Sequence, residues 1–403
     1  MKARYRYRVY PTDPQKIALS QLFGCVRVVY NDALAYCLQQ YHDGRKKPKE
    51  SELQKIFITQ AKQSENRYWL ADVSNIPLQQ SVRDLGQGYQ NFFNSCKGKR
   101  KGKKLAPPKF KKRSANQSAR FRVGGFKVHP NKVYLAKIGK LEIEWSRPLP
   151  SEPSSATIIK DASERYFLSF VVEINPEKLP DNGQSVGIDL GITDFVTLST
   201  SEKIKSPKPL KKHLKKLKRL QRKLSKKQKG SKRREVARKR VAKLHAKIKD
   251  TRTDFLHKLS TKMIRENQTI VLEDLAVSNM VKNRKLSRAI SDLGWRSFRT
   301  MLEAKAEMYG RDFRVISRWE PTSQKCSCCG FKGGKKELKI REWTCLSCNA
   351  THDRDINAAI NIKVAGGLSE TKNGHGGRRK SSLLVASDEV STRLLSIQLS
   401  LFG

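Results

Sequence analysis

Two pairs of cysteines restrict what this chain can fold into more than any other feature. Cys326-Ser-Cys-Cys329-Gly and Cys345-Leu-Ser-Cys348 each set two thiols two residues apart, with fifteen residues between the pairs. Thiolates at that spacing close a tetrahedral site around zinc, so Cys326, Cys329, Cys345 and Cys348 are expected to fold the segment into a zinc ribbon. Cys328 adds a fifth thiol to the first knuckle, while Cys326 with Cys329 keeps the standard gap. Five of the eight cysteines crowd here, and Cys25, Cys37 and Cys96 are scattered through apolar or mixed segments. That distribution favours metal binding over disulfides and fits an intracellular setting.

The ribbon interrupts a pattern of carboxylates. Val186-Gly-Ile-Asp-Leu-Gly191 reads as a short apolar strand carrying Asp189, with Phe195-Val-Thr-Leu198 returning across a tight turn. Thr269-Ile-Val-Leu-Glu-Asp-Leu275 reads as a second buried strand, ending in Glu273. Beyond the cysteines, Asp353-Arg-Asp-Ile-Asn-Ala-Ala-Ile-Asn-Ile362 opens a helix on an acid, where the helix dipole favours a carboxylate. Asp355 is expected to face inward with Ala358, Ala359 and Ile362. A single Asp near a strand end is commonly a cap or a turn residue. Three such acids in this order can hold two Mg²⁺ ions ~3.5–4 Å apart and clamp the attacking and leaving oxygens of a phosphodiester. Asp189, Glu273 and Asp355 are therefore the candidate catalytic and Mg²⁺-binding residues.

Charge names the class of partner. The sequence holds 84 Lys and Arg against 37 Asp and Glu, a formal net charge of +47. Such a surplus repels itself unless a polyanion neutralises it, which points to a phosphate backbone and away from a small metabolite. Residues 97–113 contain ten basic side chains and no acid, broken by Gly and Pro. Lys103, Lys104, Lys109, Lys111, Lys112 and Arg113 are candidate nucleic-acid contacts there, with Phe110, Phe121 and Phe126 interleaved as in single-strand binders. Arg4, Arg6 and Arg8 alternate with Ala3, Tyr5, Tyr7 and Val9, a strand with one basic face. Residues 205–252 carry 23 Lys or Arg yet keep an apolar stripe through Leu210, Leu214, Leu217 and then Ala237, Val241, Leu244, Ile248, predicting two basic helices that meet near residues 229–232. No stretch approaches the ~20 apolar residues needed to span a bilayer.

These signals divide the chain. Thr12-Asp-Pro-Gln15 has capping-box form and opens a helical module over residues 12–94, with further helices at 51–63 and 77–93. Short strands at 132–135, 141–145, 156–159 and 166–172 suggest a small β-barrel over 95–178, joined by residues 1–11. An RNase H-like α/β nuclease domain is expected over 182–320 and 351–366, interrupted by the ribbon at 321–350. A poorly ordered tail is expected over 367–403. The fold class is multidomain α+β.

In this order, Gly-Ile-Asp-Leu-Gly, Leu-Glu-Asp-Leu, Thr322-Ser-Gln-Lys-Cys-Ser-Cys-Cys-Gly and Asp-Arg-Asp-Ile-Asn-Ala-Ala-Ile-Asn-Ile resemble the TnpB family, transposon-encoded RNA-guided DNA nucleases related to type V CRISPR effectors. Tyr7-Arg-Val-Tyr-Pro-Thr, Pro-Pro-Lys-Phe-Lys and the basic helical pair extend the resemblance over nearly the whole chain. It implies a wedge-type β-barrel with an inserted helical recognition lobe, and a RuvC domain split by a zinc-binding target-loading element. It also implies Asp189, Glu273 and Asp355 as the RuvC acids, a guide RNA from the transposon end, double-stranded target DNA, and a short adjacent motif that licenses unwinding. One departure is Asn349, where the second knuckle of the family often has Gly.

Three other functions compete. A silent RNA-guided repressor would be expected to lose acids that this chain keeps. A transposase, or an accessory of one, would join transposon ends. A ribosome- or RNA-associated zinc-ribbon protein would leave the carboxylate strands unused. The protein is expected in the prokaryotic cytoplasm, associated with the nucleoid.

Overall fold

The alternation at the N-terminus becomes strand β1 (Lys2–Tyr10), which buries Ala3, Tyr7 and Val9 and turns Arg4, Arg6 and Arg8 to its other face. The computed structural model describes residues 1–100, 102–114, 116–337, 339–368 and 398–399. Of the tail expected at 367–403, residues 369–397 and 400–403 lie outside that description. The described chain forms two compact units, Lys2–Ile174 and a second that begins at Asn175.

In the first unit, helix α1 (Asp13–His42) starts where the capping signal predicts, with Gln15 Oε1 accepting from the Thr12 amide at 3.0 Å. Helix α2 (Glu50–Gln54) runs on into a π-helical turn at Lys55–Gln60, and α3 (Asn75–Cys96) completes the helical segment. Six more strands follow: β2 (Gln117–Arg122), β3 (Phe126–Val128), β4 (Lys132–Leu135), β5 (Gly139–Glu144), β6 (Ser155–Lys160) and β7 (Tyr166–Glu173). They pair antiparallel with β1 in the order β2-β6-β7-β1-β5-β4-β3, and Gln398–Leu399 lies parallel to β1 at Arg4 and Tyr5. The two ends of that path, β2 and β3, are joined by a tight turn in which the Gly125 amide donates to Arg122 O at 2.9 Å, so the sheet curls almost shut. α1 and α3 pack on each other and against β2, so the helices and the sheet form one unit. Ser81 Oγ bonds Val26 O at 2.8 Å between α3 and α1, and Asn31 of α1 accepts from the Lys111 amide at 2.8 Å.

In the second unit a five-stranded sheet has the order β10-β9-β8-β11-β12, with β8 (Ser185–Asp189), β9 (Val196–Leu198), β10 (Lys203–Ile204), β11 (Thr269–Glu273) and β12 (Asp312–Ile316). β8, β11 and β12 are parallel and the first three strands are antiparallel, the connectivity expected of an RNase H-like sheet. Helices α4 (Pro209–Ser225) and α5 (Lys232–Glu266) form the basic pair, and Leu217, Leu244 and Ile248 are buried in their shared stripe. α5 runs on past Arg252 to Glu266, because Leu256, Leu259, Met263 and Ile264 continue the helical spacing and enter the sheet's core. Short α6 (Val277–Met280) and α7 (Ser287–Leu293) lead to α8 (Trp295–Tyr309). Phe195 centres that core, its ring 5.2 Å from Phe298 and 5.3 Å from Phe255, both edge-on. Each large apolar side chain buried there contributes roughly 1.5–3 kcal/mol. A hairpin, β13 (Glu342–Thr344) with β14 (Thr351–Asp353), precedes helix α9 (Arg354–Ala365).

Candidate active site and metal centres

Strand register brings the first two acids together. β11 pairs with β8 so that Leu272 lies opposite Ile188, and the next residues, Glu273 and Asp189, end neighbouring parallel strands side by side. α9 then packs on β8 through Gly187, where an ideal Cβ would stand 2.1 Å from Ala359 O and 2.7 Å from Lys363 N. Only a residue without a side chain lets the helix approach this closely. Asp355, in the first turn of that helix, is thereby carried to the carboxyl end of β8.

Asp189 feels the charge of both other acids. Burial, followed by the fields of Asp355 and Glu273, pushes the Asp189 carboxyl up to about 7. Burial and then neighbouring Asp274 raise that of Glu273. A buried carboxylate raised further by two neighbouring acids, as Asp189 is, favours a nearby positive charge, which is what oxygen-ligated divalent cations supply. Among the described residues, the sets of ligand atoms lying within 4.8 Å of one another are all in the cysteine segment, so the acids are more openly spaced than the thiols.

Neighbouring acids are already engaged elsewhere. Asp274 is ion-paired with Arg299 and Arg318, which hold its carboxyl below the usual range against a smaller opposing effect of burial. Asp353 is the cap of α9: its Oδ1 accepts from the amides of Asp355 and Ile356, each at 3.0 Å, and its Oδ2 meets Lys203 Nζ at 2.6 Å. Asp355 itself meets Arg341 Nη1, 3.3 and 3.4 Å from its two oxygens.

The cysteine segment is spaced to hold a metal ion. Cys326 and Cys348 are 3.7 Å apart at sulfur, and Cys329 and Cys345 are 3.6 Å apart. These are the edges of a tetrahedron about an ion with ~2.3 Å bonds to sulfur, and far too long for a disulfide at ~2.05 Å. Asn349 has φ of 54°, which explains Gly at this position in related knuckles, since Asn is among the side chains that tolerate the left-handed region. Cys328 belongs to an overlapping set with Cys326 and His352. His352, buried against Trp343 with ring centroids 4.9 Å apart, brings Nε2 to 3.0 Å from Cys326 Sγ.

Sequence reasoning missed His352, Arg341, Asn357 and Asn361. The two asparagines lie four residues apart in α9, buried, and both side chains donate to Lys325 O, at 2.8 and 2.7 Å. Two amides at helical spacing among small and apolar neighbours were the available signal.

The predicted basic contacts differ in setting. Lys103, Lys104, Lys109, Lys112 and Arg113 are exposed. Lys111 is drawn inward, with Nζ 3.8 Å over the Tyr30 ring and burial lowering its pKa to about 8. On β1 the Arg6 and Arg8 guanidinium groups lie 3.7 and 5.1 Å from the Phe167 ring, and Arg4 lines a polar pocket of about 230 Å³ with Lys111 and Arg120. No described helix is long and apolar enough to cross a membrane.

Three family profiles match the chain: one described as Probable transposase over residues 169–284, a Cas12f1-like TNB domain over 295–362, and a helix-turn-helix domain over 1–46. The last covers β1 and the single helix α1. A protein of Streptomyces pristinaespiralis, named as a candidate RNA-guided DNA endonuclease, is 44% identical over 95% of this chain and 94% of its own. InsQ of Escherichia coli, named likewise, is 30% identical over 90% of this chain and 92% of its own. Among solved structures, a Cas12f1 complex with guide RNA and target DNA shares the fold at a TM-score of 0.52 and 14% identity, covering 87% of this chain and 83% of that one. Sequence identity sustained along both relatives, together with the matched domains, establishes that the chain belongs to the TnpB family.

Proposed function

We propose that the protein is the RNA-guided DNA endonuclease of a transposable element, cutting target DNA by phosphodiester hydrolysis at Asp189, Glu273 and Asp355. The observation that carries this reading is the register of β8 and β11, which ends two parallel strands on Asp189 and Glu273 beneath the first turn of α9. The names of the relatives that span nearly the whole chain support it. Held by these three carboxylates, Mg²⁺ ions would activate the attacking water and stabilise the leaving oxygen.

The chain's own residues do the rest. Gly187 sets the helix-to-strand distance, Asp353 caps α9 so that Asp355 keeps its orientation, and Lys203 holds that cap. Arg299 and Arg318 keep Asp274 from competing with Glu273 for a cation. Cys326, Cys329, Cys345 and Cys348 would hold a structural Zn²⁺. In the N-terminal unit, the curled sheet acts as the wedge-type barrel and the helices at 12–94 as the recognition lobe that meets the short adjacent motif. Arg4, Arg6, Arg8 and the exposed basic residues of 103–113 contact guide RNA or DNA backbone. Base pairing with the guide then selects the target.

The test is cleavage of a plasmid matching the RNA that copurifies with the protein. Asp189→Ala should abolish cutting in Mg²⁺ while guide and target binding stay within about twofold, because phosphate contacts are made elsewhere. Undiminished cutting would remove the site, and RNA-independent joining of DNA ends would favour a transposase.

A further inference from the structure

Helix α9 is fastened to one short turn of the cysteine segment both before and after the residue it contributes to the site. Ahead of Asp355, His352 Nε2 is 3.0 Å from Cys326 Sγ, and His352 directly precedes the capping residue Asp353. After Asp355, Asn357 Oδ1 accepts from the Ser327 amide at 2.8 Å while its Nδ2 donates to Lys325 O at 2.8 Å. One turn further on, Asn361 Nδ2 donates to Lys325 O at 2.7 Å and to Thr322 O at 2.8 Å. Every one of these partners lies within residues 322–327, the turn that presents Cys326.

These contacts are costly to place and hard to replace. Asn357 and Asn361 are 1% and 7% exposed, between the buried Ala358, Ala359 and Ile362. A buried amide without partners costs roughly 1–3 kcal/mol, so an apolar residue would serve packing alone at least as well. Residues four apart share a helix face, and both side chains are used to grip backbone carbonyls of one turn. The facing turn is held by backbone bonds, the Cys326 amide to Phe331 O at 2.9 Å and the Gly330 amide to Cys326 O at 3.0 Å, and it also gathers four sulfurs within reach of one another, which as thiolates repel unless a cation binds them. Through Gly187 the same helix also contacts β8 backbone to backbone. α9 is thus clamped between β8 and the knuckle, with Asp355 at the level of the clamp.

We infer that Asn357, Asn361 and His352 are positioning residues that transmit the state of the thiol site to the carboxylate site. Zinc at the knuckle fixes the height and rotation of α9, and so sets how tightly Asp189, Glu273 and Asp355 bind their divalent cations. The inference rests on the reading of those three acids as the cation site.

The test uses the full chain with its copurified RNA, and Mn²⁺ as the probe, with free Mn²⁺ read by electron paramagnetic resonance alongside cleavage. Asn361→Asp keeps the volume of the side chain but removes the donor, and Asn357→Ala removes the other grip. Both should retain zinc at the wild-type level and melt as folded proteins. Both should weaken Mn²⁺ binding about tenfold, the low end of what removing groups that orient a metal ligand costs, and saturating Mn²⁺ should restore most of the cleavage rate. His352→Leu should shift Mn²⁺ binding in the same direction, and His352→Gln, which keeps a donor, should shift it less. Mn²⁺ binding unchanged in the folded, zinc-retaining variants overturns the inference. Should Asp355→Ala also leave Mn²⁺ binding unchanged, the assignment of the acids fails instead, so the two failures are told apart.

Discussion

Gly187 and Ala359 meet backbone to backbone: a Cβ at Gly187 would lie 2.1 Å from the Ala359 carbonyl oxygen. Gly187→Ala must therefore push α9 off β8. Overpacking of this kind costs about 1–3 kcal/mol, and the displaced Asp355 should lower cleavage by at least ~100-fold, more than the stability loss accounts for. Gly24→Ala is the contrast. Gly24 lies inside α1 with nothing within 4 Å of an added Cβ, so the change should stabilise by about 0.5–1 kcal/mol. Thermal melts and cleavage rates of the two variants separate the effects.

Asp353 and Asp355 are two residues apart with different work. Asn is as good a helix cap as Asp, so Asp353→Asn should keep activity within about tenfold. Asp355→Asn should abolish it. Equal losses measured in saturating Mg²⁺ would mean that Asp353 also binds the cation.

Zinc content distinguishes the fifth thiol. Cys326→Ser and Cys345→Ser should lose bound zinc and expose residues 322–353 to proteolysis, since both thiols are buried within the four-sulfur set. Cys328→Ser should retain one zinc per chain by elemental analysis. Loss of zinc in that variant would move the ligand set to Cys326, Cys328 and His352.

Salt dependence separates Lys111 from its neighbours. Lys112→Gln should lower the slope of log binding constant against log salt by about 0.7–0.9, the value of one phosphate contact. Lys111→Gln should leave the slope nearly unchanged and lower the melting temperature, because Nζ packs over Tyr30.

A buried cation gives a pH signature. Lys305 Nζ donates to His257 O at 2.8 Å, Ser260 Oγ at 2.8 Å and Thr261 Oγ1 at 2.6 Å, and burial lowers its pKa to about 8. Below that value Lys305 is charged in both folded and unfolded chains, and folding carries the full desolvation cost. Between about 8 and the ordinary 10.5 the unfolded chain binds the extra proton, so stability rises with pH across this window. The melting temperature of the wild type should climb relative to that of Lys305→Met from pH 8 to 10. A constant difference would show that the three oxygens hold the proton in place throughout.

Periodicity made much of the architecture readable. Ala3, Tyr7 and Val9 point inward along β1 as alternation requires, and the stripe through Leu217, Leu244 and Ile248 joins the basic helices. Local patterns of this sort report which face of an element is apolar, and burial follows directly. Two things escaped that reading. α5 runs well past the basic segment, and α9 is gripped by Asn357 and Asn361.

The sequence alone determined the residue types, the cysteine spacing, the polyanion partner implied by +47, and the three acids at two strand ends and a helix start. Only the tertiary structure decided that Asp353 is a cap, that Asp274 is neutralised by Arg299 and Arg318, and that the cysteine turn holds α9. Spacing along a chain records what each element is, but a carboxylate's role depends on which charges and amides lie within a few ångströms of it, and those come from segments far apart in sequence.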